Sequence, residues 1–287
     1  MKILVTGSHG MLGHAVMETF KDQNPIGWDK KDLDITSKEQ VSEKIGRLKP
    51  QVIINCAAYT NVDKAEQEKE LAFKVNAEGV KHLALAASRV GAILVHYSTD
   101  YVFEGKKRKG YTENDIPSNP VNIYGSSKLE GERAILDLRF KIYDLRYYLI
   151  RTSWLFGPYG ENFVQMIIKL IENNSQIKVV DDKWSKPTYT IDLAKATRAL
   201  IEDKPPFGSY HLVNEPTTNR YELAKEIVRL KLANDLQNKP EILPVSSDKF
   251  PRPAKRPRYS ILINKKRPRL RAWKEALEEY LEANMRE

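Results

Sequence analysis

The chain carries 287 residues, 41% hydrophobic and 30% charged, enough apolar material to bury one large core or two smaller ones, with no low-complexity stretch that would suggest disorder. No apolar run approaches the roughly 20 residues that span a bilayer, and the amino terminus reads as a strand rather than a signal segment, so a cytoplasmic globular protein with no membrane partner is expected. The net charge of +9 comes from one run: residues 252–271, RPAKRPRYSILINKKRPRLR, hold nine Lys and Arg and no acid, which fits an anionic ligand, a nucleic acid or a solvated tail.

In chain order, KILVTGSHGMLGHAVMETF passes from a short apolar run through a glycine-punctuated turn into a helical pattern. The order strand, loop, helix recurs: PIGWD precedes a helix near 37–48, QVIINCAA a long helix near 65–90, and AILVHYSTD a loop. Strands alternating with helices imply parallel pairing through crossover helices, and strands with little apolar–polar alternation fit a sheet covered on both faces. The expected fold is α/β, a doubly wound parallel sheet of the Rossmann type, with its ligand outside the strand carboxyl ends. Beyond YYLIRTS the alternation loosens: ENFVQMIIKLIENN and YTIDLAKATRALIE read as helices and IKVV and SYHLV as short strands. From about 214 the chain is richer in proline and charge, with helices near 220–233 and 273–284. This part reads as a smaller C-terminal α/β substrate domain, comprising 161–187 and 214–287, closing over a dinucleotide-binding domain of 1–160 and 188–213.

Within TGSHGMLG, Gly7, Gly10 and Gly13 follow a strand and open a helix. Glycine permits the tight turn and close backbone approach, and the helix amino terminus offers free N–H groups and partial positive charge to a diphosphate. The second strand ends in GWDKKDLDI, which supplies Asp29 for adenosine ribose hydroxyls and Lys30 and Lys31 for a 2′-phosphate, leaving NADH and NADPH both open. The run Leu33, Asp34, Ile35 could line an adenine pocket. Cys56, the single cysteine, cannot form an internal disulfide and is expected in the core; the five histidines show no metal-ligand spacing with it, so no metal is expected.

Two tyrosines stand four residues before a lysine: Tyr124 with Lys128 in NIYGSSKLEGE, and Tyr221 with Lys225 in RYELAKE. Residues i and i+4 share a helix face, so Lys128 can approach both the Tyr124 phenol and a nicotinamide ribose at the same sheet edge. Its charge would lower the phenol pKa and make Tyr124 a proton donor, while Thr99, at the end of YSTDYVF, would hold the reacting carbonyl oxygen. Tyr221 lies beyond the sheet on a helix whose Leu223, Ala224, Ile227 and Val228 suggest ordinary packing.

The motifs VTGSHGMLG, CAAYTNVDKAE, VNAEG, YSTDYVF, NIYGSSKLEGE, RTSWLFG, DLA, YHLVN and RPAKRPRYSILI, in this order over nearly the whole chain, resemble the extended short-chain dehydrogenase/reductases and, more narrowly, the dTDP-4-dehydrorhamnose reductase family. The resemblance implies NAD(P)H-dependent reduction of the 4-keto group of dTDP-4-dehydro-L-rhamnose to dTDP-L-rhamnose, with Thr99, Tyr124 and Lys128 as the catalytic trio. It implies further coenzyme contacts from His9, Met11, Leu12, Ala57, Ala58, Tyr59, Asn76 and Ser98. It also implies a sugar pocket built from Thr60, Asp100, Tyr101 and Trp154, and Arg256 on the substrate diphosphate. A homodimer is possible within the family.

Nucleotide-sugar dehydratases of the superfamily carry Asp-Glu after the threonine, whereas this chain has Asp100 and Tyr101, which disfavours dehydration. The scaffold also resembles the regulatory β subunit of methionine adenosyltransferase, so the alternative is a non-catalytic regulatory subunit, because a fold and a coenzyme loop do not establish turnover. Nucleic-acid binding through 252–271 lacks a recognition motif and is not expected.

Overall fold

The computed structural model describes residues 1–141, 145–232 and 240–284. Short apolar runs form β1 (Ile3–Thr6), β2 (Ile26–Trp28), β3 (Val52–Asn55), β4 (Ile93–Thr99) and β5 (Arg146–Thr152). Helices α1 (Met11–Thr19), α2 (Lys38–Leu48), α3 (Lys69–Phe73), α4 (Gly79–Val90) and α5 (Ile123–Lys141) connect or flank them. Next come α6 (Phe163–Ile171), β6 (Gln176–Val180), α7 (Thr190–Asp203), β7 (Gly208–His211), α8 (Arg220–Lys231), β8 (Glu241–Val245) and α9 (Trp273–Asn284). The expected helix near 220–233 thus ends at Lys231, and residue 233 lies outside the described residues.

Six strands form one sheet in the order β7, β5, β4, β3, β1, β2, and every pair is parallel. The strands lack alternation in sequence because both faces are covered. Ile3, Val5, Ile54 and Val95 pack on one side with Ala15 and Val16 of α1 and Leu193 and Leu200 of α7. Leu4, Ile53, Leu94 and Leu149 pack on the other with Val41 of α2, Leu83 of α4 and Ile135 of α5. Each fully buried Leu or Ile contributes roughly 1.5–3 kcal/mol, so neither face tolerates exposure. The chain leaves β1 for β2 on one side and returns to β3 on the other, opening the crevice that such sheets use for ligands.

Residues 190–211 return to this sheet, with α7 against α1 and β7 beside β5. A third core joins Val164 and Ile167 of α6, Ile177 of β6, Ile227 of α8 and Leu277 of α9, and among the described residues β6 pairs only with β8.

One expectation needs correction. The segment near 65–90 is not a continuous α-helix: α3 widens into a π turn over Lys74–Glu78 before α4. Asn76 sits in that turn, where its side chain is drawn into hydrogen bonds outside the helix, and Gly131 of α5 packs so closely that a Cβ there would lie 2.1 Å from the Asn76 carbonyl oxygen. Among the described residues, no helix is long and apolar enough to cross a membrane.

Candidate active site

A cavity of about 1040 Å³ runs along the carboxyl ends of β1, β3 and β4. Its floor begins at the turn between β1 and α1. Gly7 has φ +68°, and a Cβ there would meet Ala57 N at 2.6 Å; a Cβ at Gly13 would meet the Gly7 carbonyl oxygen at 2.1 Å. Gly10 differs: a Cβ there would meet only that oxygen, at 3.4 Å, so the protein itself barely requires glycine, and the bare position faces the cavity. Gly10 is also the N-cap of α1 and lends it no side-chain bond, and the first turn holds no acid. The N–H groups of Met11, Leu12 and Gly13 therefore end α1 without a side-chain cap, where the helix dipole favours an anion. This is a cradle that fits a dinucleotide diphosphate.

Asp29, at the end of β2, is tied back to that turn: Ser8 Oγ donates to its Oδ2 at 2.8 Å, and His9 Nδ1 lies 2.6 Å from the same oxygen. Lys30, Asp34 and Ile35 line the cavity beside it, as do His9, Met11, Leu12, Ala57, Ala58 and Tyr59; Lys31 does not line it. Cys56 also lines the cavity, half-buried against the core rather than inside it, because the chain turns out of β3 one residue earlier.

Thr99, Tyr124 and Lys128 face the same cavity. Asn122 starts α5 by accepting the Gly125 N–H at 2.7 Å, which places the first turn and Tyr124 over the end of β4. The Thr99 hydroxyl lies close to the Tyr124 phenol and donates to Asp100 Oδ1 at 3.0 Å. Burial pushes the phenol pKa up, and Lys128 is not among the groups that offset it. This differs from the expected depression by Lys128, and the cause is local: Lys128 Nζ donates to the Tyr97 carbonyl at 2.7 Å and lies 3.5 Å from His96 Nε2.

The surroundings of Lys128 come from residues that periodicity assigned to strand cores. The Thr6 hydroxyl and the Ala57 N–H donate to Asn55 Oδ1, so the Asn55 amide N–H₂ faces His96 Nδ1 at 3.0 Å. Burial, with Lys128 nearby, lowers the His96 pKa well below its ordinary value, keeping the ring neutral. Burial also lowers Lys128 to about 8, opposed by Glu132 one helical turn on and by Cys56. Glu132 is itself buried, bonded by Ser98 Oγ and held by Arg151 Nη2 at 2.7 Å.

Asn76, expected among the coenzyme contacts, spends its side-chain amide within the protein. It does not line the cavity; its amide accepts the Tyr59 N–H at 2.9 Å, donates to the Tyr59 carbonyl at 3.0 Å and to Ser127 Oγ at 3.0 Å. Its place in the π turn therefore fixes the loop after β3 against the helix of Tyr124.

At the other end, Thr60, Asp100 and Trp154 line the cavity. Asp100 is buried, which raises its carboxyl to about 6 although Thr99 and Ser185 donate to it. Tyr101 and Arg256 do not line the cavity. Tyr101 stands edge-on to Tyr124, centroids 6.0 Å apart, with Arg256 close by. Arg256 spends its guanidinium on Asp63, with Nη1–Oδ1 2.5 Å and Nη2–Oδ2 2.8 Å, because the loop of Asp63 lies directly against the basic run. That run is fixed to the site by the Asn122 amide, which donates to the Lys255 carbonyl at 2.8 Å. Tyr221 lies away from the cavity, packed in the third core with Lys225 Nζ 5.1 Å over its ring. Ser8, Asn55, His96, Glu132 and Asp63 were not marked by the sequence reading, since no local pattern announces a partner this distant in the chain. Among the described residues no group of three or more His, Cys, Asp or Glu is placed to hold a metal ion.

A parallel sheet with this crevice, a glycine turn into α1 and a Tyr–Lys pair over β4 define the extended short-chain dehydrogenase/reductase class. The model of the RmlD substrate binding domain family matches residues 1–286. The dTDP-4-dehydrorhamnose reductase of Aggregatibacter actinomycetemcomitans is 39% identical over 91% of this chain and 90% of its own. The crystal structure of a Clostridium acetobutylicum dTDP-4-dehydrorhamnose reductase superposes with TM-score 0.91 at 41% identity, covering 99% of this chain and 100% of that one. That of the Bacillus anthracis enzyme in complex with NADP superposes with TM-score 0.90 at 39% identity, covering the same shares. The chain belongs to the RmlD substrate binding domain family.

Proposed function

We propose that the chain is an NAD(P)H-dependent oxidoreductase that reduces the 4-keto group of dTDP-4-dehydro-L-rhamnose to dTDP-L-rhamnose. The observation that carries this reading is the convergence of Thr99, Tyr124 and Lys128 on one cavity that begins at an uncapped glycine turn. The names of the relatives support the substrate. When bound, the nicotinamide supplies the hydride; the chain supplies position and a proton. Gly7, Gly10 and Gly13, with the amino end of α1, hold the diphosphate, and Asp29 and Lys30 meet the adenosine ribose. The Thr99 hydroxyl orients the carbonyl oxygen. Tyr124, whose burial keeps it protonated at neutral pH, donates its proton to that oxygen as negative charge develops there. The Lys128 ammonium, protonated below about 8 and facing the same cavity, would hold the nicotinamide ribose.

Asp100, Trp154 and Thr60 border the sugar, while Tyr101 and Arg256 support that wall from behind. Residues 1–160 and 188–213 bind the coenzyme, and 161–187 and 214–287 form the substrate unit. We place the protein in the cytoplasm, active alone or as a homodimer. The test is NAD(P)H oxidation by the purified protein with freshly generated dTDP-4-dehydrorhamnose, beside UDP and GDP 4-keto sugars. Turnover of the dTDP substrate is expected. Its absence, with coenzyme still bound, would favour a regulatory protein.

A further inference from the structure

Three guanidiniums, Arg220, Arg252 and Arg256, stand close enough to interact near the Trp154 end of the cavity, and two of them share one carboxylate. Asp63 takes Arg256 on both oxygens and has Arg252 Nη1 at 3.6 Å. Arg220, the first residue of α8, has no such partner: among the described residues no carboxylate, carbonyl or hydroxyl is hydrogen-bonded to it. Its guanidinium carbon instead lies 3.9 Å from the centre of the Trp154 ring and 4.4 Å from that of Phe163. Stacking fixes the plane of a guanidinium while leaving the N–H donors on its edge unspent.

The charge of Arg220 is poorly compensated. Burial lowers its pKa to about 10; Tyr101 and Asp100 oppose that fall, while Arg252 and Arg256 add to it. Asp100, whose carboxyl burial raises to about 6, already accepts from the Thr99 and Ser185 hydroxyls and is not ion-paired with Arg220 among the described residues. Trp154 and Asp100 both belong to the cavity wall; Arg220 does not line the cavity itself but stacks on Trp154 directly behind that wall. A sugar, being neutral, would not balance this cluster. A diphosphate would, and Arg256, the arginine the sequence singled out, already has its fork occupied.

We infer that Arg220 grips the substrate diphosphate, presenting its free N–H edge to the phosphate oxygens while Trp154 and Phe163 hold its plane. The inference rests on the reading that the substrate is a dTDP-sugar. It makes Trp154 a support for an anion-binding arginine as well as a wall for the sugar. Paired charge-assisted hydrogen bonds from a guanidinium are the strong kind, and a lysine cannot copy their geometry.

The test is calorimetric binding of dTDP and of thymidine to the NADPH-loaded protein, for the wild type, Arg220→Met and Arg220→Lys. Met should cost dTDP tenfold or more in affinity and Lys threefold or more, with thymidine affinity changed less than twofold in both. Should Arg220→Met fail to fold, Arg220→Lys alone decides. If the wild type reduces the keto sugar but the folded variants bind dTDP as tightly as it does, Arg220 only packs against Trp154 and the inference falls. Equal losses for thymidine and dTDP would also overturn it, as a collapse of the pocket. If the wild type neither binds dTDP nor reduces the sugar, the functional reading fails first and takes the inference with it.

Discussion

Raising the pH should switch the protein off through Lys128, and the structure says where. Lys128 is 2% exposed, and burial brings its pKa down to about 8 from an ordinary 10.5. With that value roughly nine-tenths of the molecules carry the ammonium at pH 7 and roughly one-tenth at pH 9. An unburied lysine would lose only about 3% of its charge at pH 9, so the two cases differ about tenfold in rate there. The groups around Lys128 do not blur the assignment. Burial raises the Tyr124 phenol and the Cys56 thiol, so both stay protonated in this range, and His96 stays neutral throughout it. The sign is therefore a loss of activity with rising pH. The assay is initial rate from pH 6 to 9.5 with both reactants held below KM, so that the profile reports the free protein. A basic limb near 8, falling about tenfold per pH unit beyond it, is expected. Lys128→Met should be slower by roughly a hundredfold or more and should lack the limb. A wild-type profile flat to pH 9, or a limb that survives in Lys128→Met, would refute the argument.

Tyr124→Phe should lower kcat by roughly two or more orders of magnitude with little change in coenzyme affinity, and Tyr221→Phe should leave steady-state kinetics unaltered; near-normal turnover in the first variant would remove Tyr124 from the mechanism. Glu132→Gln leaves the Arg151 guanidinium, 3% exposed, without its carboxylate, and should cost roughly 3–5 kcal/mol in denaturant unfolding, an unchanged midpoint being the contrary result. NADH and NADPH should be used within about tenfold in kcat/KM, since Asp29 repels a 2′-phosphate that Lys30 attracts and single ion-pair terms of about 1 kcal/mol give less than tenfold; discrimination above about a hundredfold would show that one of these side chains dominates.

What could be read directly from the sequence was local. Apolar runs of four to seven residues named the strands β1, β3, β4 and β5, the glycines at 7, 10 and 13 marked the turn into α1, and the i, i+4 spacing placed Tyr124 and Lys128 on one helical face. The periodicity near 65–90 correctly implied helix, yet it could not show the π turn, because that widening answers to hydrogen bonds from Asn76 to Tyr59 and Ser127. Only the tertiary structure decided what each charged group meets. Arg256 looked free in a run without acids, but Asp63, 193 residues earlier, takes its fork, and Arg220, inconspicuous in RYELAKE, is left with its donors unspent. Lys128 was expected to tune Tyr124, but it sits under Tyr97 and His96, where desolvation governs both pKa values. Backbone conformation follows from neighbours in the chain, whereas the pairing and desolvation of a charge depend on whichever residues folding brings within a few ångströms, and no sequence window contains them.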